Sequence, residues 1–383
     1  VNADAVAGIY VHLPFCPYIC PYCDFAKWPA RASDASRYLR ALRGELAQAP
    51  PLRATTAFFG GGTPNVYAPD DLTSLVVAVR EHFALPEGAE VTVEINPDLE
   101  LCTALEAYRA VGVSRLSIGV QSFEEPELRV LGRRHSAADV EEVVRRARAA
   151  GFANLSLDLM YAVPGQTQES WGRSLARAIA LGCEHISTYG LTIEEGTPFA
   201  TWHAREPGAF VDSDADADLY ALTIGCLAAA GYEQYEISNF ARPGFACKHN
   251  RQYWNNEDYL GLGVSAASYR DGSRRAATRD LAAYCAAVEA GLTVPGDSEE
   301  LAPVARAGEA AMLALRRREG VELADFAARY DVDFIQFYRP VIAEMEAAGM
   351  LATSATHVAL TERGRFLANN VCGAFVTYAS ALP

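Results

Sequence analysis

Cys16, Cys20 and Cys23 form a C-x3-C-x2-C triplet inside His12-Leu13-Pro14-Phe15-Cys16-Pro17-Tyr18-Ile19-Cys20-Pro21-Tyr22-Cys23-Asp24-Phe25. Iron–sulfur clusters need thiolates, and one tight loop brings three of them onto a single small object. Three ligands on a four-iron cluster leave one iron open, so a cofactor or substrate can coordinate there. A structural zinc ion with a fourth ligand from elsewhere, such as His12, is the other chemistry this triplet suits. The residues further along favour the first. Phe59-Gly60-Gly61-Gly62-Thr63-Pro64 supplies backbone free of side chains, suited to close contact with a small zwitterion. Glu94, Gln121 and Asp158 add carboxylates and an amide, and Arg133 adds a guanidinium.

These residues recur after strand-like runs. Gly8 to Leu13, Thr56 to Phe59, Val91 to Ile95, Arg115 to Gly119, Asn154 to Met160 and His185 to Leu191 read as strands. Helix-period segments alternate with them, roughly Ala35 to Gln48, Pro69 to Phe83, Leu99 to Ala110, Ala137 to Ala150, Thr167 to Ala180 and Asp212 to Ala230. Strict alternation implies a parallel α/β sheet with its crossover helices packed outside, as an open doubly wound sheet or an incomplete barrel. In both, ligands gather at the C-terminal ends of the strands, where the polar and glycine residues fall.

Residues 1–240 therefore read as one α/β core. Arg242-Pro243-Gly244 opens an irregular, aromatic-rich connector over 241–280, and helices dominate 281–383. That last stretch has a hairpin signal around Ser354 to Thr356 and a final helix from Glu362 to Phe375, in the order of a winged helix. Residues 301–383 hold eight Arg against nine Asp or Glu, which offers no net attraction for phosphate, so nucleic acid is not an expected partner. The net charge of −15 points the same way and also away from an anionic bilayer. No apolar run of about 18 residues suits a membrane span, and the start of the sequence lacks signal-peptide character, so the expected location is the cytoplasm. Nine unevenly spaced cysteines make no disulfide framework, in keeping with that compartment.

The triplet, Gly60-Gly61-Gly62-Thr63-Pro64, Glu94-Ile95-Asn96-Pro97, Gly119-Val120-Gln121-Ser122-Phe123, Asp158-Leu159-Met160-Tyr161 and Pro164-Gly165-Gln166-Thr167 together resemble the radical S-adenosylmethionine (SAM) family of oxygen-independent coproporphyrinogen oxidases and their relatives. The resemblance runs through almost the whole chain and is strongest to the HemW-type haem chaperones. It implies a partial (βα)6 TIM-like barrel, followed by the connector and a small helical, winged-helix-like C-terminal domain. It implies a [4Fe-4S] cluster on Cys16, Cys20 and Cys23, with SAM chelating the fourth iron. By motif position, Tyr10 would lie over the cluster and adenine side. Gly61, Gly62 and Thr63 would hold the methionine part, Glu94 and Asp158 the amino or ribose groups, and Gln121 and Arg133 would complete the pocket, with Arg133 on a carboxylate.

Two departures set the chain apart from the oxidases. Their fourth cysteine, two residues after the third, is replaced by Phe25. Their long N-terminal extension, which helps bind porphyrinogen, has no counterpart before Cys16, so decarboxylation is not expected. Cys247-Lys248-His249-Asn250-Arg251-Gln252-Tyr253-Trp254 carries the H-N-x-x-Y-W signature of the chaperone branch. There His249 would ligate haem iron, Asn250, Tyr253 and Trp254 would complete the haem motif, and Cys247 would be a second ligand or an attachment point. Phe240, Phe245, Tyr235 and Tyr259 make the neighbourhood aromatic. The expected function is haem delivery to acceptor proteins, respiratory enzymes among them, with an electron donor for the cluster; a homodimer is left open. The alternatives are a catalytic radical SAM enzyme, either a decarboxylating coproporphyrinogen III oxidase or a methyltransferase or cyclopropanase, and a zinc-stabilised binding module.

Overall fold

The computed structural model describes residues 6–270 and 272–380; residues 1–5 and 381–383, at the ends of the first and last expected stretches, lie outside the described residues. Six parallel strands follow one another in chain order: β1 (Val6–Leu13), β2 (Arg53–Gly61), β3 (Glu90–Ile95), β4 (Arg115–Gln121), β5 (Leu155–Tyr161) and β6 (His185–Gly190). Helices Ala32–Gln48, Pro69–His82, Leu105–Ala110, Ala137–Ala149, Gln168–Ala180 and Ser213–Ala229 alternate with them, as the apolar periodicity requires.

The sheet continues past both ends of this set. Beyond β6 lie β7 (Glu233–Glu236) and β8 (Asn239–Ala241), antiparallel, with β8 against β6. Beyond β1 lie β9 (Tyr259–Leu262), parallel to β1, then β10 (Ala267–Arg270), β11 (Ser273–Ala277) and β12 (Gly296–Glu300), all antiparallel. The order β12-β11-β10-β9-β1-β2-β3-β4-β5-β6-β8-β7 runs from one edge to another without closing, so the (βα)6 set is a partial barrel.

Alternation along each strand divides its residues between two faces. Val91, Val93 and Ile95, Leu116, Ile118 and Val120, and Leu155, Leu157 and Leu159 belong to one apolar core. The alternate positions are Glu90, Thr92 and Glu94, Arg115 and Ser117, Ser156 and Asp158, and His185 and Ser187. A TIM barrel filled by branched apolar side chains is packed solid. This one has a polar inner face, the environment that a charged or zwitterionic ligand needs.

Trp171, fully buried in the apolar core, fixes a crossover helix to the next one by donating from Nε1 to Thr223 Oγ1 at 2.9 Å. Trp171→Ala should cost about 3–5 kcal/mol through cavity formation. Thermal denaturation followed by circular dichroism checks this, and the melting temperature is expected to drop by several degrees.

The C-terminal region has a core of its own, including Ala311, Leu315, Phe326, Phe334, Tyr338, Val358 and Phe375. Helices Pro303–Arg316, Leu323–Tyr330, Phe334–Phe337 and Arg339–Ala347 precede a hairpin, Leu351–Thr353 with His357–Leu360, whose turn falls at Ser354 to Thr356. A short strand, Val321–Glu322, joins the hairpin to complete a winged-helix-like arrangement.

Three local readings are corrected. The helix expected over Leu99 to Ala110 begins only at Leu105, because Asn65 Nδ2 donates to the carbonyls of Asn96 and Leu101 and pins the segment as a turn. The last helix is two, Glu362–Phe366 and Ala368–Ser380, broken at Leu367 with φ −116° and ψ 27°. The stretch 241–280 is not irregular: it contains helix Lys248–Trp254 and three strands of the main sheet. Glu90 caps that helix from β3, its carboxylate accepting from the backbone N–H groups of Lys248 (3.1 Å) and His249 (3.0 Å), a tertiary cap with no local sequence signal. Among the described residues no helix is long and apolar enough to cross a membrane.

Candidate cluster and ligand site

The cysteine loop follows β1 and is pinned from two sides. Trp28 N–H donates to Pro14 O and Ala30 N–H to Cys16 O, both at 2.9 Å, so the chain returns alongside the first cysteine. The glycine turn after β2 holds the other side, with Gly62 N–H on Leu13 O and Thr63 N–H on Phe15 O, both at 2.9 Å. The approach is so close that a Cβ on Gly62 would lie 2.6 Å from Leu13 O and 2.7 Å from the Pro14 carbonyl carbon. Gly61 has φ +101°, and a Cβ there would strike the His12 ring at 2.3 Å. Contact requires a glycine at both positions, and conformation at Gly61 as well.

Cys16, Cys20 and Cys23 are free thiols, each partly buried. They influence one another electrostatically, and burial pushes the Cys16 thiol up to about 11 and raises Cys23 as well. For Cys16 and Cys23 burial thus favours the neutral thiol, and bound iron would reverse this by stabilising the thiolates. Among the described residues no three His, Cys, Asp or Glu side chains converge as ligands of one metal ion. A cubane asks for a different arrangement, because each thiolate binds its own iron.

Arg133 comes over the loop from beyond β4. Its guanidinium donates to Gly119 O at 2.6 Å, to Cys20 Sγ at 3.8 Å and to Asn96 Oδ1, while its buried Nε has no partner. Asn96 is fixed in turn by its donation to Tyr18 OH at 3.1 Å and to Asp98 Oδ2 at 2.6 Å. An unpaired buried N–H beside a thiolate loop fits a ligand carboxylate. Gln121 sits next to it in left-handed backbone, φ +65°, at a bulge in the β4–β5 pairing, a strained conformation for a residue other than glycine.

Glu94, at the end of β3, accepts from Gly61 N–H at 2.9 Å, and burial lifts its carboxyl to about 7. Asp158 accepts from Ser117 Oγ (2.9 Å) and Ser156 Oγ (3.2 Å) and is also raised by burial. Tyr10 donates to His12 Nδ1 at 3.1 Å and stacks on Phe58. Tyr10, Gly61 and Glu94 line one cavity, and Asp158 lies within β5 on its two serines.

Within the H-N-x-x-Y-W motif His249 and Tyr253 touch, and Trp254 goes elsewhere. His249 is 1% exposed and has both ring nitrogens engaged, Nδ1 with Thr56 Oγ1 at 2.7 Å and Nε2 with Tyr253 OH at 2.9 Å. Burial lowers it to about 3, so the imidazole is neutral. Cys247 is fully buried against Glu90 Oε1 at 3.4 Å, with its thiol pushed up to about 12 by burial. Trp254 lies under the Arg316 guanidinium, 5.0 Å from its ring centroid, facing the C-terminal region, and Asn250 is half-buried. Tyr253 alone of the motif reaches the site, lining a cavity of about 350 Å³ with Tyr10, His12, Gly61 and Glu94. Phe25, Tyr259, Ser265 and Arg279 complete its outer wall. Sequence reasoning missed Ser265 and Arg279, which no motif marks, and considered His12 only as a zinc ligand.

Comparison with known proteins agrees with this geometry. Residues 10–178 match the model of the radical SAM superfamily, and residues 301–367 match the HemN C-terminal domain. The chain is 34% identical to the haem chaperone HemW of Bacillus subtilis (strain 168), over 96% of this chain and 98% of the relative. It is 32% identical to that of Escherichia coli (strain K12) over the same shares, and 36% identical to that of Mycobacterium tuberculosis (strain H37Rv) over 95% and 93%. Among solved structures it is similar to the coproporphyrinogen III oxidase HemN of Escherichia coli, a radical SAM enzyme, with a TM-score of 0.87 and 25% identity over 98% of this chain and 91% of that one. The chain belongs to the radical SAM superfamily and, within it, to the family of the HemW haem chaperones.

Proposed function

We propose that this chain is a cytoplasmic haem chaperone that carries a [4Fe-4S] cluster on Cys16, Cys20 and Cys23, binds SAM at the open iron, and delivers haem to acceptor proteins, respiratory enzymes among them. The single observation behind the cofactor reading is the docking of the Gly61-Gly62-Thr63 turn onto the cysteine loop by two backbone hydrogen bonds, with the unpaired Arg133 Nε beside it. Bound SAM would supply a reducible sulfonium for radical chemistry. The protein's part is to hold it: Gly61, Gly62 and Thr63 along the methionine backbone, Arg133 and Gln121 toward its carboxylate, Glu94 and Asp158 toward amino or ribose groups. An external electron donor would reduce the cluster.

Haem cargo is supported by the family and by the aromatic cavity wall at Tyr253. A haem iron on His249 requires a ring nitrogen that faces open space, and in this fold both are hydrogen-bonded. Docking in the cavity lined by Tyr253 needs no such rearrangement. Titration with haemin, followed by incubation with an apo-haem protein, tests the reading. Saturable binding and transfer are expected; a protein that binds no haemin is not a chaperone for it. Coproporphyrinogen III supplied to the reduced, SAM-loaded protein tests the catalytic alternative, and vinyl products would displace the chaperone reading.

Glu94 gives a pH dependence with a definite sign. Its carboxyl is protonated below about pH 7 and ionised above it, and only the ionised form attracts an ammonium group. SAM affinity should therefore strengthen as pH rises through about 7, and Glu94→Gln should remove that step. Calorimetric titration between pH 6 and 8, roughly one unit either side of the transition, reads both.

A further inference from the structure

The cavity has an outer half that the SAM residues do not account for. Phe25, 62% exposed, Tyr253 and Tyr259 are aromatic side chains along its wall, and Tyr253 and Tyr259 meet edge to face with ring centroids 4.7 Å apart. Its lining includes two carboxylates, Asp24 and Glu94, and a single Lys or Arg side chain, Arg279. Arg279 stands just past β11 and touches the cysteine loop, Nη2 donating to Asp24 O at 2.8 Å. With Nη2 on that carbonyl, the Arg279 guanidinium also lines the aromatic-walled space. Its charge reaches His12, another lining residue, and adds to the burial that lowers that imidazole's pKa.

We infer that Arg279 is the carboxylate anchor of this cavity, pairing with a propionate of a tetrapyrrole whose macrocycle lies along Phe25, Tyr253 and Tyr259. The inference rests on the haem-binding reading and goes beyond it by naming where the cargo docks and what selects it. A guanidinium pairs with a carboxylate through two parallel hydrogen bonds, and flat aromatic faces suit a planar ligand. Arg133 is not among the residues lining this cavity, so two carboxylate-bearing ligands would be held by separate arginines. It also lies on the connector side of the sheet, and not on the helix that carries His249.

Calorimetric titration of the full-length protein with haemin and with haemin dimethyl ester, for wild type, Arg279→Ala and Arg279→Lys, tests it. Wild type is expected to bind haemin at least tenfold more tightly than the ester. Arg279→Ala should lose that preference and bind both alike, and Arg279→Lys should keep part of it. An unchanged cluster absorption spectrum in the variants shows that the loop next to Asp24 is intact. Coproporphyrin III, with four carboxylates, distinguishes the source: binding it in preference to haemin would assign the anchor to a porphyrin precursor instead of haem. Haemin binding by Arg279→Ala equal to wild type, with the ester still discriminated, overturns the anchor while leaving the chaperone reading standing. Failure of wild type to bind haemin overturns both.

Discussion

Serine in place of any one of Cys16, Cys20 or Cys23 is expected to abolish the cluster. Anaerobic reconstitution should then give a protein with almost no bound iron or sulfide and no charge-transfer absorption in the visible range. The reason is geometric as well as chemical. A three-cysteine site has no spare ligand, and the scattered cysteines cannot substitute: Cys102, Cys183, Cys247, Cys285 and Cys372 are buried. SAM affinity should collapse with the cluster, because the open iron is its chelation point. The folded structure should survive, since the loop is held by backbone hydrogen bonds from Trp28, Ala30, Gly62 and Thr63 that involve no sulfur. Circular dichroism of the variants separates cluster loss from unfolding. Substitution of Cys226, partly buried and remote in sequence from the loop, should leave iron content unchanged.

The second large effect is expected at Arg133. Replacing it with methionine keeps bulk and removes a buried charge whose bonds reach Gly119 O, Asn96 and Cys20 Sγ. Breaking a buried charge-assisted pair costs about 2–5 kcal/mol, so SAM affinity should fall roughly 30-fold to several thousand-fold. Cluster content should change little, because Arg133 contacts the sulfur of Cys20 at 3.8 Å and is not a ligand. Equilibrium dialysis with labelled SAM checks the affinity, and iron analysis checks the cluster. Arg133→Lys is expected to recover only part of the loss, since a point charge does not replace a planar fork. Equal loss of iron and SAM in Arg133→Met would move this residue's role from ligand binding to loop support.

What was legible in the sequence follows a physical division. The six core strands were read because their outward faces are runs such as Val91, Val93, Ile95 and Leu155, Leu157, Leu159, which no other element period explains. The cysteine triplet and glycine turn were legible because both are local: neighbours in sequence do the work, and their position after β1 and β2 brings them together. The edge strands β9 to β11 were not, since Tyr259–Leu262 and Ala267–Arg270 are short and owe their extended form to pairing with the main sheet. The helix bearing His249 was missed because its N-terminus is capped by Glu90, more than 150 residues away in sequence.

The haem motif shows the same limit for side-chain direction. The resemblance implied that His249, Tyr253 and Trp254 act together, and the helix keeps His249 on Tyr253 while sending Trp254 to Arg316. His249 faces inward because the barrel interior is polar, so Thr56 and Tyr253 can satisfy its ring. In a barrel filled with apolar side chains a buried imidazole with two partners would be rare, and an outward reading would be the better choice. Arg279 was invisible for the opposite reason: an exposed arginine after a strand has no motif, and only the fold brings it against Asp24 and Phe25.

The most direct measurement is the electron paramagnetic resonance spectrum of the anaerobically reconstituted, reduced protein, recorded during titration with SAM. The account predicts a [4Fe-4S]+ signal that shifts on SAM addition and saturates at one SAM per chain. A protein that takes up zinc in place of iron and sulfide, or a cluster signal indifferent to saturating SAM, would contradict it.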